Sequence, residues 1–313
     1  MLIGPSSSAV VAVRGGDRRT YLHDVTTQRF DDVVAGDVRS ALVLDVHGAP
    51  LAAFELLAAD DEDRLVVPTA AVDHVLEVLA RRTFLADARF ERVDDRVVSL
   101  RGDDVDDLLR AAGFAVEPGT WVDLDGAAIA RHGFGAELLG GDERVSHVIA
   151  GLVASGADEV DAATLADARV AGGEPEVGRE IVGPHLPEEL GLLPTHVHLA
   201  KGCYPGQEAV ARMWMLGRPR RRLASVAWSG GILPGRELGE GRQRVVVTAT
   251  SAQGRGLAFV PADASPGDRY GDEGDEIVVL AFVGGDTPPS GHDPAVARRR
   301  DRKTTGGRQA RTP

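Results

Sequence analysis

Cysteine is nearly absent: the 313-residue chain contains one, Cys203. A single cysteine excludes an intramolecular disulfide and a self-contained four-cysteine zinc or cluster site. Aromatic residues make up only 4% of the chain, so aliphatic side chains and alanine must fill the core. Lysine occurs twice, at Lys201 and Lys303. No apolar run reaches the roughly 20 residues of a membrane-spanning helix. The start, Met1 to Ser8, lacks the charged segment and long apolar stretch of a secretory signal. No G-x-G-x-x-G follows a strand pattern and no P-loop is present, so nucleotide binding has no motif behind it. The net charge of −13 is uneven: residues 286–313 hold seven Arg/Lys and three Asp, or +4, which leaves −17 on the rest. An acidic body argues against a nucleic-acid binder, whose affinity comes from neutralising phosphates. A free thiol and a missing signal together predict a cytoplasmic protein with no membrane partner.

What is present reads as α+β. Ala9–Val13 has the pattern of a buried strand, and Asp17 stands where it can cap a helix over 18–25. Two apolar runs, 41–44 and 51–57, flank Asp45-Val46-His47-Gly48-Ala49-Pro50, a hairpin signal. Asp60 to Asp63 is an acidic turn expected to be solvated. Strands are predicted over 64–67, 88–93 and 97–100, and helices over 69–79, 104–110, 145–153 and 162–170. Hairpins and single helices mix without a βαβα alternation. From residue 220 short strands alternate with Gly/Pro turns, the pattern of a small β-barrel over 220–285. From 286 no periodicity survives, and a disordered basic tail is expected. The predicted organisation is therefore 1–219, 220–285 and 286–313.

The densest run of unusual residues is Lys201-Gly202-Cys203-Tyr204-Pro205-Gly206-Gln207-Glu208. Alternating His196-Val197-His198-Leu199 leads in as a strand, and a helix starts after the turn. Glycine permits a positive φ or a close backbone approach, and Pro205 presets one turn angle. Cys203 would be shown on the turn, near a helix N-terminus and two residues from Lys201, an environment that favours thiolate. A thiolate suits iron or a cluster, and it also suits nucleophilic catalysis. His196, His198 and Cys203 could form a metal site, but an isolated H-x-H pair is weak support, and no metal is assigned.

The same eight residues resemble the K-G-C-Y-x-G-Q-E signature of the YgfZ family, folate-binding relatives of the glycine-cleavage T-protein linked to iron–sulfur cluster assembly and repair. Arg169 to Pro175 resembles the family's R-[IL]-E-A-G-x-P segment. Gly15-Gly16-Asp17 with Tyr21 to Thr27 resembles its opening, and Leu44 to Gly48 its L-D-x-x-G hairpin. The resemblance spans about residues 3–285. It implies a T-protein-like body of two intertwined sub-domains around a folate pocket, capped by the C-terminal barrel. It also implies a pocket lined by the signature loop, with tetrahydrofolate or a derivative as ligand. Lys201, Gly202, Tyr204, Gly206, Gln207, Glu208, Arg212 and Arg169 are then the candidate binding residues, with Arg218 a weaker one, and Cys203 is the functional thiol. Expected partners are a folate and iron–sulfur assembly or client proteins.

Some positions depart from the family pattern. Ala171 stands where the T-protein has an acidic pterin reader; Glu174, close by, is expected to face elsewhere. Val75 falls near the T-protein's proposed catalytic Asp, and Ser8 and Leu165 take positions where relatives have aromatic walls. Aminomethyl transfer without that carboxylate lacks its acid–base group. The sequence therefore reads as a folate-binding accessory protein without independent catalysis, with a tetrahydrofolate-dependent aminomethyl transferase as the alternative.

Overall fold

The computed structural model describes residues 1–285 except 82, 217, 218, 229 and 273. The basic tail 286–313 and Arg218 lie outside the described residues.

Two consecutive strands, β1 (Leu2–Pro5) and β2 (Ser8–Arg14), are separated by only Ser6 and Ser7, yet they enter different sheets. β2 joins β3 (Val38–Leu44), β4 (Pro50–Leu57), β5 (Asp63–Pro68) and β6 (Arg89–Val93) in the order β3-β4-β5-β2-β6. β1 joins β7 (Arg96–Arg101), β8 (Trp121–Asp123), β9 (Ala127–His132), β10 (Gly135–Gly140) and β11 (Asp158–Glu159) in the order β11-β1-β7-β10-β9-β8. Every pairing in these two sheets is antiparallel except β1 with β11.

Helices cover one face of each sheet. α1 (Arg18–Val25) and α2 (Val72–Ala80) bury Tyr21, Leu22, Val72, Val75 and Leu79 against Val11, Val13, Val43 and Leu65. α3 (Val105–Ala111) and α4 (Asp142–Ala154) bury Val105, Leu109, Val145 and Leu152 against Ile3, Leu100, Ile129 and Leu138. Each such buried aliphatic side chain contributes on the order of 1.5–3 kcal/mol. The remaining faces turn toward each other and share a small apolar core: Val10, Leu57 and Val66 from one sheet, Val97, Ala128 and Leu139 from the other.

Three helices follow: α5 (Ala162–Ala171), α6 (Leu193–His196) and α7 (Gln207–Leu216). The C-terminal strands are β12 (Arg221–Trp228), β13 (Glu237–Leu238), β14 (Val245–Thr250), β15 (Arg255–Pro261), β16 (Arg269–Asp272) and β17 (Asp275–Phe282). They form one antiparallel sheet, β13-β14-β15-β12-β17-β16, nearly closed into a barrel. Leu190, Leu192 and Leu193 pack with Leu223, Leu257 and Phe259, which ties this sheet to the body.

Three local expectations fail. Asp17 precedes α1 without a side-chain cap hydrogen bond; its carboxylate accepts from Asp87 N at 2.9 Å instead. The run 196–199 is not a strand: α6 ends at His196, and Val197 is extended without a ladder partner. Its backbone bonds crosswise instead, with His198 N donating to Thr27 O and Thr27 Oγ1 donating to His196 O. Asp63, at the end of the acidic turn, is buried rather than solvated, because the Arg18 and Arg19 guanidiniums both close on it at 3.0 and 2.9 Å.

Candidate functional site

Side chains alternate along a strand, so i, i+2 and i+4 share a face. On the facing surfaces of the two sheets this rule gives an apolar half and a polar half. β7 presents Val97 to the shared core and then Ser99 and Arg101 beyond it; β9 presents Ala128 and then His132; β10 presents Leu139 and then Glu137. From the other sheet, β4 presents Leu57 to the core and then Glu55 and Ala53 beyond it. Where the faces turn polar the sheets part around a cavity of about 310 Å³. α5 closes one side with Ala162, Leu165, Ala166 and Arg169, the i, i+3, i+4, i+7 positions of one helix face. Ser8, Phe134, Glu174, Glu176 and His196 also stand on the wall.

Arg101 organises the buried end. Its Nε donates to Glu174 Oε2 at 2.8 Å, and its Nη2 donates to Glu174 Oε1 at 3.0 Å and Glu137 Oε1 at 2.8 Å. Nη1 donates to the carbonyls of Leu100 and Ala136, both at 3.1 Å. Ser99 Oγ, directly across the ladder, lies 3.0 and 2.8 Å from the two Glu137 oxygens. Burial alone would raise the Glu137 carboxyl, but Arg101 and His132 outweigh it and hold it below the usual carboxylate range. Burial opposes the Arg101 charge as well, and Glu174 and Glu137 reverse that, so the guanidinium stays protonated.

His132 Nδ1 accepts from Phe134 N at 3.3 Å, which leaves Nε2 as the nitrogen that carries a proton. That nitrogen lies 3.6 Å from Glu137 Oε1, is buried, and has no hydrogen-bond partner among the described residues. Glu55 accepts from Ser40 Oγ at 2.7 Å. Burial pushes its carboxyl up, as do Glu174 and Glu137, while His132 and Ser40 pull it down; the net direction is up. His196 is buried, with Nδ1 2.7 Å from Thr195 Oγ1. Burial first, and then the nearby His132, lower its pKa to about 3, so it is a neutral ring.

The predicted site residues divide between two places. Arg169 lines the cavity, but its charge is already matched: Nη2 lies 3.2 Å from Glu176 Oε2, Nη1 lies 3.6 Å from Glu180 Oε2, and Nη1 also donates to Glu174 O. Residues 201–208 are not among the described residues lining the cavity, so the expected lining by the signature loop is not met. The reason is how the loop is seated. Lys201 is buried and donates to the carbonyls of His23 and Thr26, where α1 ends. Its ammonium lies 4.8 Å from the Tyr204 ring centre. Burial lowers the Lys201 pKa to about 8, with Asp24 and Asp31 opposing. Tyr204 is buried with Leu42, Leu44, Val197 and Val210, and burial raises its phenol to about 12.

Gly206 has φ +80°, and a Cβ there would stand 2.4 Å from Asp45 O and 2.9 Å from Gly48 Cα. Gly48, in the β3–β4 turn, has φ +87°, and its Cβ would stand 2.9 Å from Ala209 Cβ. The signature loop and the L-D-x-x-G hairpin therefore meet backbone to backbone. What the loop leaves outside is Gly202 and Cys203, both exposed. Gln207 begins α7, and Glu208 pairs with Arg212 on its exposed side.

The departures fall as follows. Val75 is fully buried in the core, Ala171 is exposed, and Ser8 and Leu165 line the cavity. Glu174, expected to face elsewhere, lines it too and is held there by Arg101. Glu55, Ser99, Arg101, His132 and Glu137 were missed. The available signal was a polar residue in the buried phase of each alternating strand. Among the described residues no group of three or more His, Cys, Asp or Glu is arranged to hold a metal, and no helix is long and apolar enough to cross a membrane.

No protein-family model matches the chain, and no curated protein matches it in sequence. Solved structures do. The glycine cleavage system aminomethyltransferase T from Bartonella henselae superposes with a TM-score of 0.76 at 17% identity, covering 92% of this chain and 87% of that one. A heterotetrameric sarcosine oxidase from Corynebacterium sp. U-96 matches with a TM-score of 0.29 at 14% identity, covering 50% of this chain and 84% of that one. The α+β, T-protein-like fold with a C-terminal barrel-like sheet is the fold of this chain.

Proposed function

We propose that this chain is a folate-binding accessory protein of the YgfZ type, acting in iron–sulfur cluster assembly or repair. The ligand, tetrahydrofolate or a derivative, occupies the inter-sheet cavity, and Cys203 faces partner proteins from outside it. One observation carries the reading: the only thiol is exposed on a rigidly seated loop that contributes nothing to the cavity wall. A thiol so displayed is available to an external cluster or client, and it is not set to attack a cavity-bound ligand, since attack requires contact with the reacting atom. A cavity of about 310 Å³ with buried carboxylates at one end and Phe134 and Leu165 on its wall suits a flat heterocycle.

The aminomethyl-transferase alternative draws support from Glu55, a cavity carboxyl with a raised pKa. Against it stands Val75, buried in the apolar core where that reaction's carboxylate is expected.

Purified protein should bind tetrahydrofolate by calorimetry and leave 5,10-methylenetetrahydrofolate unconverted when no other protein is present. Turnover of the methylene form would instead establish the transferase. In cells, a Cys203→Ala strain should lose activity of iron–sulfur enzymes under oxidative stress. Normal activity in that strain would end the accessory reading.

A further inference from the structure

We propose that residues 186–192 form a proton-held strap between the body and the C-terminal sheet: Glu188 keeps the strap closed while its carboxyl carries a proton, and loss of that proton lets the sheet lift from the body. The inference does not depend on which ligand the cavity holds.

The strap touches both halves. On the body side, a Cβ at Gly48 would stand 3.1 Å from Leu186 Cδ2, so Leu186 packs on the β3–β4 turn that also meets Gly206. At the other end Leu192 stands on the cavity wall, and α6 follows it with His196 on the same wall. On the side of the C-terminal sheet, Leu223 N in β12 donates to Glu189 O at 2.7 Å. A Cβ at Gly191 would collide with Val283 O, and one at Gly284 with Gly191 O, so the strap meets the end of that sheet backbone to backbone. The strap is coiled on itself: Leu190 N donates to Leu186 O at 3.2 Å, Gly191 N to Glu188 O at 3.3 Å and Leu192 N to Pro187 O at 2.9 Å.

The backbone of this coil is answered, but the carboxyl at its centre is not. Glu188 is 3% exposed, and neither of its oxygens has a hydrogen-bond partner among the described residues. Glu137 and Glu180 are also buried, but they lie against Arg101 and Arg169. The adjacent Glu189 accepts from Leu186 N at 3.1 Å and lies 3.6 Å from His185 Nδ1. The charged groups on the surrounding elements are engaged elsewhere. His185 stacks on Phe259, and Arg222 of β12 lies over the Phe282 ring and donates to Gly285 O. Asp45 of the β3–β4 turn accepts from His47 N and Ala49 N, Glu208 and Arg212 of α7 pair with each other, and His196 is neutral. Only Glu189 acts on Glu188, and a second negative charge disfavours ionisation as burial does. A carboxylate buried without a counter-charge is avoided by keeping the group neutral. When the strap opens, Glu188 meets water, its O–H bond breaks and the proton passes to solvent. The closed strap holds that proton up to about pH 8, and the open one only below about 4.5. Opening therefore becomes about tenfold more favourable per pH unit across that window and levels off above it. Leu192 and His196 belong to the same run of chain, so opening also loosens one wall of the cavity.

The test is amide hydrogen exchange of the full chain, read by mass spectrometry at about pH 5.5, 6.5 and 7.5 and corrected for the intrinsic pH dependence of exchange. Peptides covering 186–192, 221–226 and 281–285 report the junction; peptides from β9 and α4 report the rest of the fold. In the wild-type protein, protection at the junction is expected to fall at least tenfold from the lowest pH to the highest while β9 and α4 hold theirs. Glu188→Gln should keep its low-pH protection throughout. Junction protection that does not change with pH would overturn the proposal. So would an equal fall in β9 and α4, because the proton would then govern the whole fold and not the strap. A fall that persists in Glu188→Gln would place the proton on another group and overturn it too. The wild-type series decides the first two outcomes even if the variant folds poorly.

Discussion

Arg101 and Glu174, 73 residues apart, form a two-point pair: Nε to Oε2 at 2.8 Å and Nη2 to Oε1 at 3.0 Å. Because Arg101 also holds Glu137, one guanidinium pairs with two carboxylates, one on β10 and one in the turn after α5. Arg101→Met would strand both in a buried site, and breaking such a pair costs about 3–5 kcal/mol. Denaturant unfolding should show that loss, and adding Glu137→Gln to Arg101→Met should recover part of it. An Arg101→Met protein as stable as wild type would mean that the network is not closed as described.

Gly206 and Gly202 make a matched pair of tests in one loop. Gly206→Ala meets a backbone oxygen at 2.4 Å and needs a left-handed φ; strain of that kind costs on the order of 1–3 kcal/mol before any clash is counted. The nearest atom to a Cβ at Gly202 is 4.0 Å away, so Gly202→Ala should stay within about 0.5 kcal/mol of wild type. Equal effects in a urea titration would contradict the backbone contact with the hairpin.

Lys201 is a structural cation in this fold. Lys201→Met removes the charged donor from His23 O and Thr26 O, a loss of about 1–3 kcal/mol. Tetrahydrofolate affinity should not change. A variant with normal stability and lost affinity would move Lys201 back to the ligand, where the sequence motif alone had put it.

Glu188 predicts a pH dependence. It is buried, and neither carboxyl oxygen has a hydrogen-bond partner among the described residues. Burial, with Glu189 beside it, pushes its pKa up to about 8. The folded state therefore holds a proton that the unfolded state has lost above about 4.5, so this group's contribution to stability falls as pH rises from about 4.5 to about 8. Glu188→Gln should raise stability by about 1–3 kcal/mol above pH 8 and change little near pH 4. Thermal melts of both proteins at the two pH values would show it. A gain that does not depend on pH would contradict the assignment.

Much of the fold was legible in the sequence. Helix 18–25, the hairpin around Gly48, and the strand-rich region after 220 follow from periodicity and turn residues. The site was less legible, for a physical reason. A conspicuous motif such as K-G-C-Y-P-G-Q-E draws attention to a loop, but its Gly, Lys and Tyr are largely used in seating that loop on α1 and the hairpin. The cavity wall is written instead as single polar residues at core positions: Glu55 in β4, Ser99 and Arg101 in β7, His132 in β9, Glu137 in β10. Each looks like an ordinary interruption of one strand. They become a site only when the two sheets are laid face to face, and that pairing is non-local. Glu174, expected to face elsewhere, reaches the cavity because α5 ends at Ala171 and the residues after it bring this carboxylate to Arg101.

The central claim is that the inter-sheet cavity, not the cysteine loop, receives the ligand. The direct test is one calorimetric titration of tetrahydrofolate into two variants. Ala166→Trp puts bulk on the cavity-facing side of α5 without touching the buried network, and Cys203→Ala removes the thiol. Affinity lost in Ala166→Trp and kept in Cys203→Ala is the predicted result; affinity kept in Ala166→Trp and lost in Cys203→Ala would contradict the account.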